Sequence, residues 1–230
     1  MLLLSLLLIP LLGALSLMTF GQQLAKKVAL AFSGLNLLLY IYVLSVFQEE
    51  VTSSLTFNGT WLPDFGLSLR FSLDAFSLLL VGLTSLLVPL IVLSTFKIDH
   101  EKPQLFYSLI LLTEVALIGV FLAQDIFLFY FFFEAALIPV YFLSIKWGGP
   151  NVSKAAFKMF VYTVFGSLFM LVGLVYLYTK AQTGDMKAIA DSIEFLPASA
   201  QYLLFGGFVL AFAIKMPLFP FHTWQAEAYS

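Results

Sequence analysis

Seven long apolar runs dominate the chain, at residues 2–20, 26–47, 73–96, 104–123, 125–146, 156–179 and 200–217. A run of about 20 residues crosses a hydrocarbon core of roughly 30 Å as an α-helix rising ~1.5 Å per residue. Inside lipid every backbone N–H and C=O must be satisfied within the protein, which leaves helices or a closed β-barrel. The runs lack the alternating, ~10-residue period of barrel strands. The fold class expected is therefore all-α, a polytopic transmembrane helical bundle of about seven spans.

Composition agrees: 61% of the 230 residues are hydrophobic and 10% charged, where soluble domains carry about a quarter charged. There is no cysteine, hence no disulfide, no thiolate for zinc or an iron–sulfur cluster, and no thiol nucleophile. The net charge of −2 comes without a basic patch, which gives nucleic-acid binding no support. No GxGxxG and no phosphate loop occur, and Trp147 to Lys154, WGGPNVSK, lacks the Gly-Lys-Ser/Thr ending such a loop needs. No helical histidine pair could hold haem or zinc. No cofactor and no metal are expected on this chain.

The loops set an orientation. Lys26, Lys27, Lys97, Lys102, Lys146, Lys154 and Lys158 fall at one set of ends; Arg70, Lys180 and Lys187 fall at the other, among Glu49, Glu50, Asp64, Asp185, Asp191 and Glu194. The positive-inside rule places the N-terminus and the 48–72 and 180–199 loops outside. The first run lacks a positive n-region and carries its lysines after the apolar stretch, so it reads as a span rather than a signal peptide. Residues 57–72, with Asn58-Gly59, Pro63-Asp64 and alternating Leu67, Leu69 and Phe71, predict an outside hairpin acting as a lid or brace. The glycosylation patterns at Asn58 and Asn151 fall on opposite sides and read as chance matches. Asp74 and Asp125 are expected to cap the third and fifth helices, and His100, among Asp99, Glu101 and Lys102, to be solvated.

The fifth run, FLFYFFFEAALIPVYFL, contains one carboxylate, Glu134. An acid at a helix centre costs about 2.5 to 3.5 kcal/mol on the insertion scale, while each Leu, Ile, Phe or Val returns about 0.3 to 0.6. The helix can insert, but the acid needs a cation, hydrogen bonds, water or a proton. Such a group can load and release protons; the alternative is a neutral glutamate bonded to a neighbouring helix. Pro139 is expected to free the carbonyls of Glu134 and Ala135 and to kink the helix beside the acid, or merely to shape packing. In the last run, Lys215 lies about 22 Å from the helix start, with Pro217 and Pro220 expected to break the helix just after it. A lysine beside a broken helix suggests a site within protein or a wet cavity, against snorkelling to the inner surface. If movement brings Glu134 and Lys215 together and apart, protonation becomes coupled to geometry.

Glu114, mid-span in the fourth run, obeys the same logic, against a structural hydrogen bond. Lys158 could feed protons from the inner face or anchor by snorkelling. His222, in the broken 217–224 segment, could relay protons or be a satisfied turn histidine.

Three stretches carry a resemblance: GVFLAQDIFLFYFFFEAALIPVYFLSIKWGG (119–149), KAAFKMFVYTVFGSLFMLVG (154–173) and AFAIKMPLFPFHTW (211–224). They resemble the proton-translocating, antiporter-like subunit M, or chain 4, family of respiratory complex I. The resemblance implies that Glu134 and Lys215 form the central proton-pathway pair, that Glu114 is the fourth-helix acid, and that His222 is the histidine after the proline break. It implies a membrane-arm subunit of NADH-quinone oxidoreductase with a proton half-channel coupled to quinone reduction. NADH, flavin, iron–sulfur clusters and quinone would then belong to partner subunits, and the neighbours would be other antiporter-like subunits in a bacterial inner membrane. Residues 1–103 would form three N-terminal helices with the hairpin, and 104–230 a first, incomplete translocation unit. Members of this family resemble two inverted five-helix units, whereas this chain stops after one, and the usual TWLPDAH-like continuation reads TWQAEAYS; a fragment of a longer frame, or a half that pairs with another chain, is expected. Two other readings remain, the large subunit of a multisubunit sodium/proton antiporter and a non-catalytic membrane scaffold.

Because the chain has no native thiol, single cysteines report its topology. An impermeant maleimide applied to intact cells should label Thr60→Cys and spare Glu101→Cys; the opposite pattern would invert the orientation.

Overall fold

The computed structural model describes residues 2–19, 21–47, 55–62, 66–148 and 152–228. Glu49, Glu50, the Pro63-Asp64 pair and Asn151 lie outside the described residues. Helix α1 (Leu2–Ser16) is followed by a short 3-10 turn and α2 (Ala25–Val46), then strands β1 (Thr56–Leu62) and β2 (Leu67–Ser72), then α3 (Ala75–Ser94), α4 (Pro103–Leu122), α5 (Ile126–Ala135), α6 (Leu137–Trp147), α7 (Val152–Ala181), α8 (Met186–Ile193), α9 (Ala198–Lys215) and α10 (Thr223–Ala228). Six helices, counting α5 with α6 as one, are long and apolar enough to cross a membrane. The bundle is an all-α polytopic membrane fold.

The first run is shorter as a helix than as a sequence. Its regular part ends at Ser16, where Ser16 Oγ donates to Gly13 O at 2.8 Å and the Thr19 amide closes a tight turn on Ser16 O at 2.9 Å. Hydroxyls that bond nearby carbonyls compete with the helical ladder, leaving α1 about 22 Å long at ~1.5 Å per residue. Outward-facing apolar side chains such as Leu79 (68% exposed) and Val172 (71%) would be a liability in water and are ordinary against lipid.

Helix α4 is the axis of the bundle, packing against α1, α2, α3, α5 and α6. Small residues permit close approach: α2 turns Ala25, Ala29, Ser33 and Asn36 inward, and a Cβ on Gly119 of α4 would collide with the Phe132 ring of α5.

One end of the bundle is knitted by the hairpin. β1 and β2 pair antiparallel, Phe57 opposite Phe71, with Asn58-Gly59 inside β1 and Gly66 in the turn at φ +61°. Phe71 is 3% exposed and stands 6.1 Å from Phe132. The Gln124 amide donates to Arg70 O at 2.9 Å, the Ile126 amide to Gly184 O at 2.9 Å, and the Met186 amide to Gln124 O at 3.0 Å. Arg70 pairs with Asp185. Asp125 is fully buried and caps α5, accepting from Phe127 N at 3.0 Å and Leu128 N at 3.3 Å. Asp74 caps α3 in a reciprocal box with Ser77, and those hydrogen bonds hold its carboxyl below the ordinary value. Within the 180–199 loop, Asp185 caps the amphipathic α8 through Ala188 N at 2.8 Å; at eight residues it was too short for the sequence pattern to register.

The opposite end carries the lysines. Lys26 Nζ donates to Phe96 O and to Asp99, both at 3.0 Å, and Trp147 Nε1 donates to Glu101 O at 3.0 Å. His100 is not simply solvated. Its ring stacks on Phe106 at 3.9 Å and its Nε2 is buried without a partner. Burial first and Lys26 second lower its basicity, with Asp99 opposing.

Candidate functional site

The fifth span is two helices. α5 stops at Ala135 and α6 starts at Leu137, with Pro139 buried in its first turn. A helix end leaves its last carbonyls without intrahelical donors. The Ala136 amide takes Phe132 O at 3.1 Å. Phe133 O takes something else: Lys215 Nζ donates to it at 2.7 Å, from the last residue of α9.

That ammonium also sits 3.5 Å from the centroid of the Phe133 ring, a cation–π contact whose strength grows as water is excluded. The ring is 8% exposed, stacked on Phe129 at 5.7 Å and edge-on to Phe212 of α9 at 6.0 Å. Lys215 is thus held by one residue of α5 through both its backbone and its side chain. The next residue is Glu134. Its carboxylate is half-buried and acts electrostatically on Lys215, yet among the described residues the two form no ion pair. Lys215 uses the Phe133 carbonyl, one residue before the two that Pro139 is expected to free.

The end of α9 is fixed in a way the sequence did not announce. Trp224 of α10, 6% exposed, donates its indole N–H to Ile214 O at 3.0 Å. The Met216 amide takes Phe212 O and the Leu218 amide takes Ala213 O, both at 2.8 Å. The Leu218 amide thus covers the Ala213 carbonyl that Pro217, lacking an N–H, leaves open, and the indole covers Ile214 O, which Leu218 no longer serves. Ile214 presses on Gly166 of α7, where a Cβ would come within 2.9 Å of Ile214 Cδ1. The glycine lets α7 and α9 touch one residue before Lys215.

Lys158 and Tyr162 precede Gly166 on α7 at four-residue steps, so all three lie on one flank. Lys158 Nζ lies 6.0 Å from the Tyr162 ring. Tyr130, one turn before Glu134, lies beside Ser167 of α7. His222 is exposed, 5.6 Å from the Phe219 ring, in the turn before α10. Glu114 faces a different interface: it is fully buried and accepts from Asn36 Nδ2 of α2 at 2.8 Å. The structure therefore sets Lys215 beside Glu134, while Glu114 bonds to Asn36 of α2 and His222 lies by Phe219. Phe133, Trp224 and Asn36 escaped the sequence reading; only a backbone carbonyl, a helix-end indole and a cross-helix amide mark them.

The described residues contain no cluster of His, Cys, Asp and Glu able to hold a metal. An apolar groove of about 750 Å³ runs between α7 and α9, lined by residues such as Val172, Tyr176, Tyr202 and Leu203, with no charged group.

The comparisons bear out the resemblance to complex I subunit M. Residues 123–230 match the family described as "NADH:quinone oxidoreductase/Mrp antiporter, TM". The chain is 35% identical over 231 residues to the NADH-quinone oxidoreductase subunit M of Rickettsia typhi, covering 96% of this chain and 47% of the relative. Its fold superposes on a chain of respiratory complex I from Thermus thermophilus with a TM-score of 0.86 and 31% identity, covering 99% of this chain and 46% of that one. A chain of the Mrp complex from Dietzia shares the fold, TM-score 0.87 at 18% identity, covering 98% of this chain and 25% of that one. The chain spans about half the length of the curated relatives it matches.

Removing the indole donor should loosen α9. Trp224→Phe leaves Ile214 O unpaired at a cost of about 1 to 3 kcal/mol, seen as a lower unfolding temperature in detergent; an unchanged transition would mean that the indole bond does not hold the helix end.

Proposed function

We propose that this chain is part of a membrane-arm subunit of a proton-translocating NADH:quinone oxidoreductase, in which Glu134 and Lys215 form the proton-carrying pair of a half-channel. The observation that carries this is the Lys215 bond to the Phe133 carbonyl, one residue from a carboxylate it does not pair with. An ammonium held by a carbonyl and an aromatic face has a second possible acceptor next door. Moving from Phe133 O to Glu134 requires no long displacement, only a change at the α5–α6 break or at the end of α9.

The two arrangements differ in protonation. Paired, the carboxylate and ammonium support each other's charge; separated, each stands without its counter-charge, so the acid can take up a proton and the amine can give one up. Cycling between them loads and releases a proton without any redox chemistry here. Lys158, through the Tyr162 flank of α7, supplies protons from the inner face, and His222 accepts beyond the break.

Electron transfer from NADH through flavin and iron–sulfur clusters to quinone takes place in partner subunits, and the strain of that reaction reaches this chain through neighbouring antiporter-like subunits. The setting is an energy-conserving membrane such as the bacterial inner membrane, with the N-terminus and the hairpin outside. The shared fold of the Mrp chain favours one second reading, a subunit of a sodium/proton antiporter, which would move protons against sodium without NADH.

The test is NADH-driven proton uptake in inside-out vesicles carrying Glu134→Gln, with assembly checked on native gels. Assembly should persist while proton movement falls about a hundredfold or more, the scale of losing a positioned proton-transfer group. Unchanged pumping would make Glu134 a packing residue, and sodium-dependent proton movement without NADH would favour the antiporter.

A further inference from the structure

The junction of α2, α3 and α4 holds a second polar cluster that the Glu134–Lys215 pair does not use. Asn36, Ser85 and Glu114 are each 0% exposed. Asn36 Nδ2 donates to Glu114 Oε1 at 2.8 Å. The other oxygen of each, Asn36 Oδ1 and Glu114 Oε2, is buried with no partner, and so is Ser85 Oγ.

Helix register puts the three at one height. Tyr40 of α2 lies over Gly82 of α3. α2 and α3 run antiparallel through the hairpin, so one turn from that contact places Asn36 and Ser85 side by side. Ser85 makes no bond back to its own helix, whereas its neighbour Thr84 donates to Leu80 O at 2.9 Å.

Among the described residues no ion pair reaches Glu114. α1 and α3 contain no charged residue, and α4 contains none but Glu114 itself. α2 carries only Lys26 and Lys27, and Lys26 is occupied by Phe96 O and Asp99, ten residues or about 15 Å along the axis from Asn36. On the elements packed against α4 the other titratable groups are Tyr40 and Tyr42 of α2, Tyr130 and Glu134 of α5, and Tyr141 and Lys146 of α6, with Lys146 in the last turn of α6 at the lysine-bearing end; α4 itself carries Tyr107, which bonds to Thr95 at 3.1 Å. An ionised Glu114 would leave a buried charge uncompensated and two acceptor oxygens with nothing to accept.

One proton resolves both deficits. We propose that Glu114 holds a resident proton as a neutral carboxylic acid paired reciprocally with the Asn36 carboxamide, Oε2–H donating to Oδ1 while Nδ2–H donates to Oε1, with the Ser85 hydroxyl closing the site. The proton is bound, not conducted. It ties α2 to α4 in the bundle core, separate from the α5–α9 pair, and Glu114 is then no member of the pathway that the family resemblance assigns it to. This goes beyond the proposed function and fails or stands separately from it.

The isosteric variant decides the matter. In assembled membranes, Glu114→Gln can make the same reciprocal pair as an amide, so assembly and proton translocation should stay within about twofold of the unsubstituted protein. Glu114→Ala, which strands both Asn36 groups, should lower the unfolding temperature. In infrared spectra, the difference between unsubstituted and Glu114→Gln protein should show a protonated-carboxyl carbonyl band that stays constant from about pH 5 to about pH 7, above the usual carboxyl range. This readout survives even if the chain translocates no protons. A band that titrates in that window, a Glu114→Gln protein that assembles but no longer translocates, or one that fails to assemble would each overturn the proposal.

Discussion

An ammonium in the interior of a lipid-embedded bundle persists only where acceptors wait for it, and here the acceptor is the Phe133 carbonyl. That carbonyl is free because α5 ends at Ala135, and Lys215 reaches it because α9 ends at Lys215. Both breaks are required. A continuous fifth helix would use Phe133 O internally, and a continuous ninth helix would carry the chain past α5. The prolines that interrupt these helices therefore create a donor and an acceptor at the same depth, and the glycine contact between Gly166 and Ile214 lets them meet.

The remaining architecture holds that meeting point in register. Asp125 caps α5 nine residues before Glu134, and the same turn is bonded to the hairpin through Arg70 and to the α7–α8 loop through Gly184. Trp224 pins the other partner by its bond to Ile214 O. Head of α5 and tail of α9 are thus each anchored to a rigid neighbour, while the stretch between Phe133 and Pro139 is where the bundle has a helix interruption. A small shift of Lys215 between a carbonyl and a carboxylate is a displacement such a frame can permit without repacking its core.

Much of this was legible in the sequence because lipid imposes simple rules. Run length gave the helices, loop lysines sorted their ends, and Asp74 and Asp125 announced themselves as caps. Glu134, Lys215, Pro139 and Pro217 stood out because charge and proline are costly in such runs. What escaped was whatever depends on neighbours across the bundle. Nothing in FFFEAA marks Phe133 rather than Glu134 as the residue that Lys215 touches, since the contact is made by a backbone atom. Asn36 sits unremarked in an apolar run until Glu114 is placed against it. His100 looked solvated among charged neighbours, and only the fold put Phe106 under its ring.

The central claim is that Glu134 and Lys215 act as one unit whose protonation follows their separation. The direct measurement is a double-mutant cycle on proton translocation, using Glu134→Gln, Lys215→Met and the double variant in assembled membranes. If the pair is a unit, the double variant should be no slower than the slower single variant, because the second change removes nothing that still functions. Losses that multiply, each variant subtracting its own independent share, would mean that the two residues serve separate steps and would contradict the account.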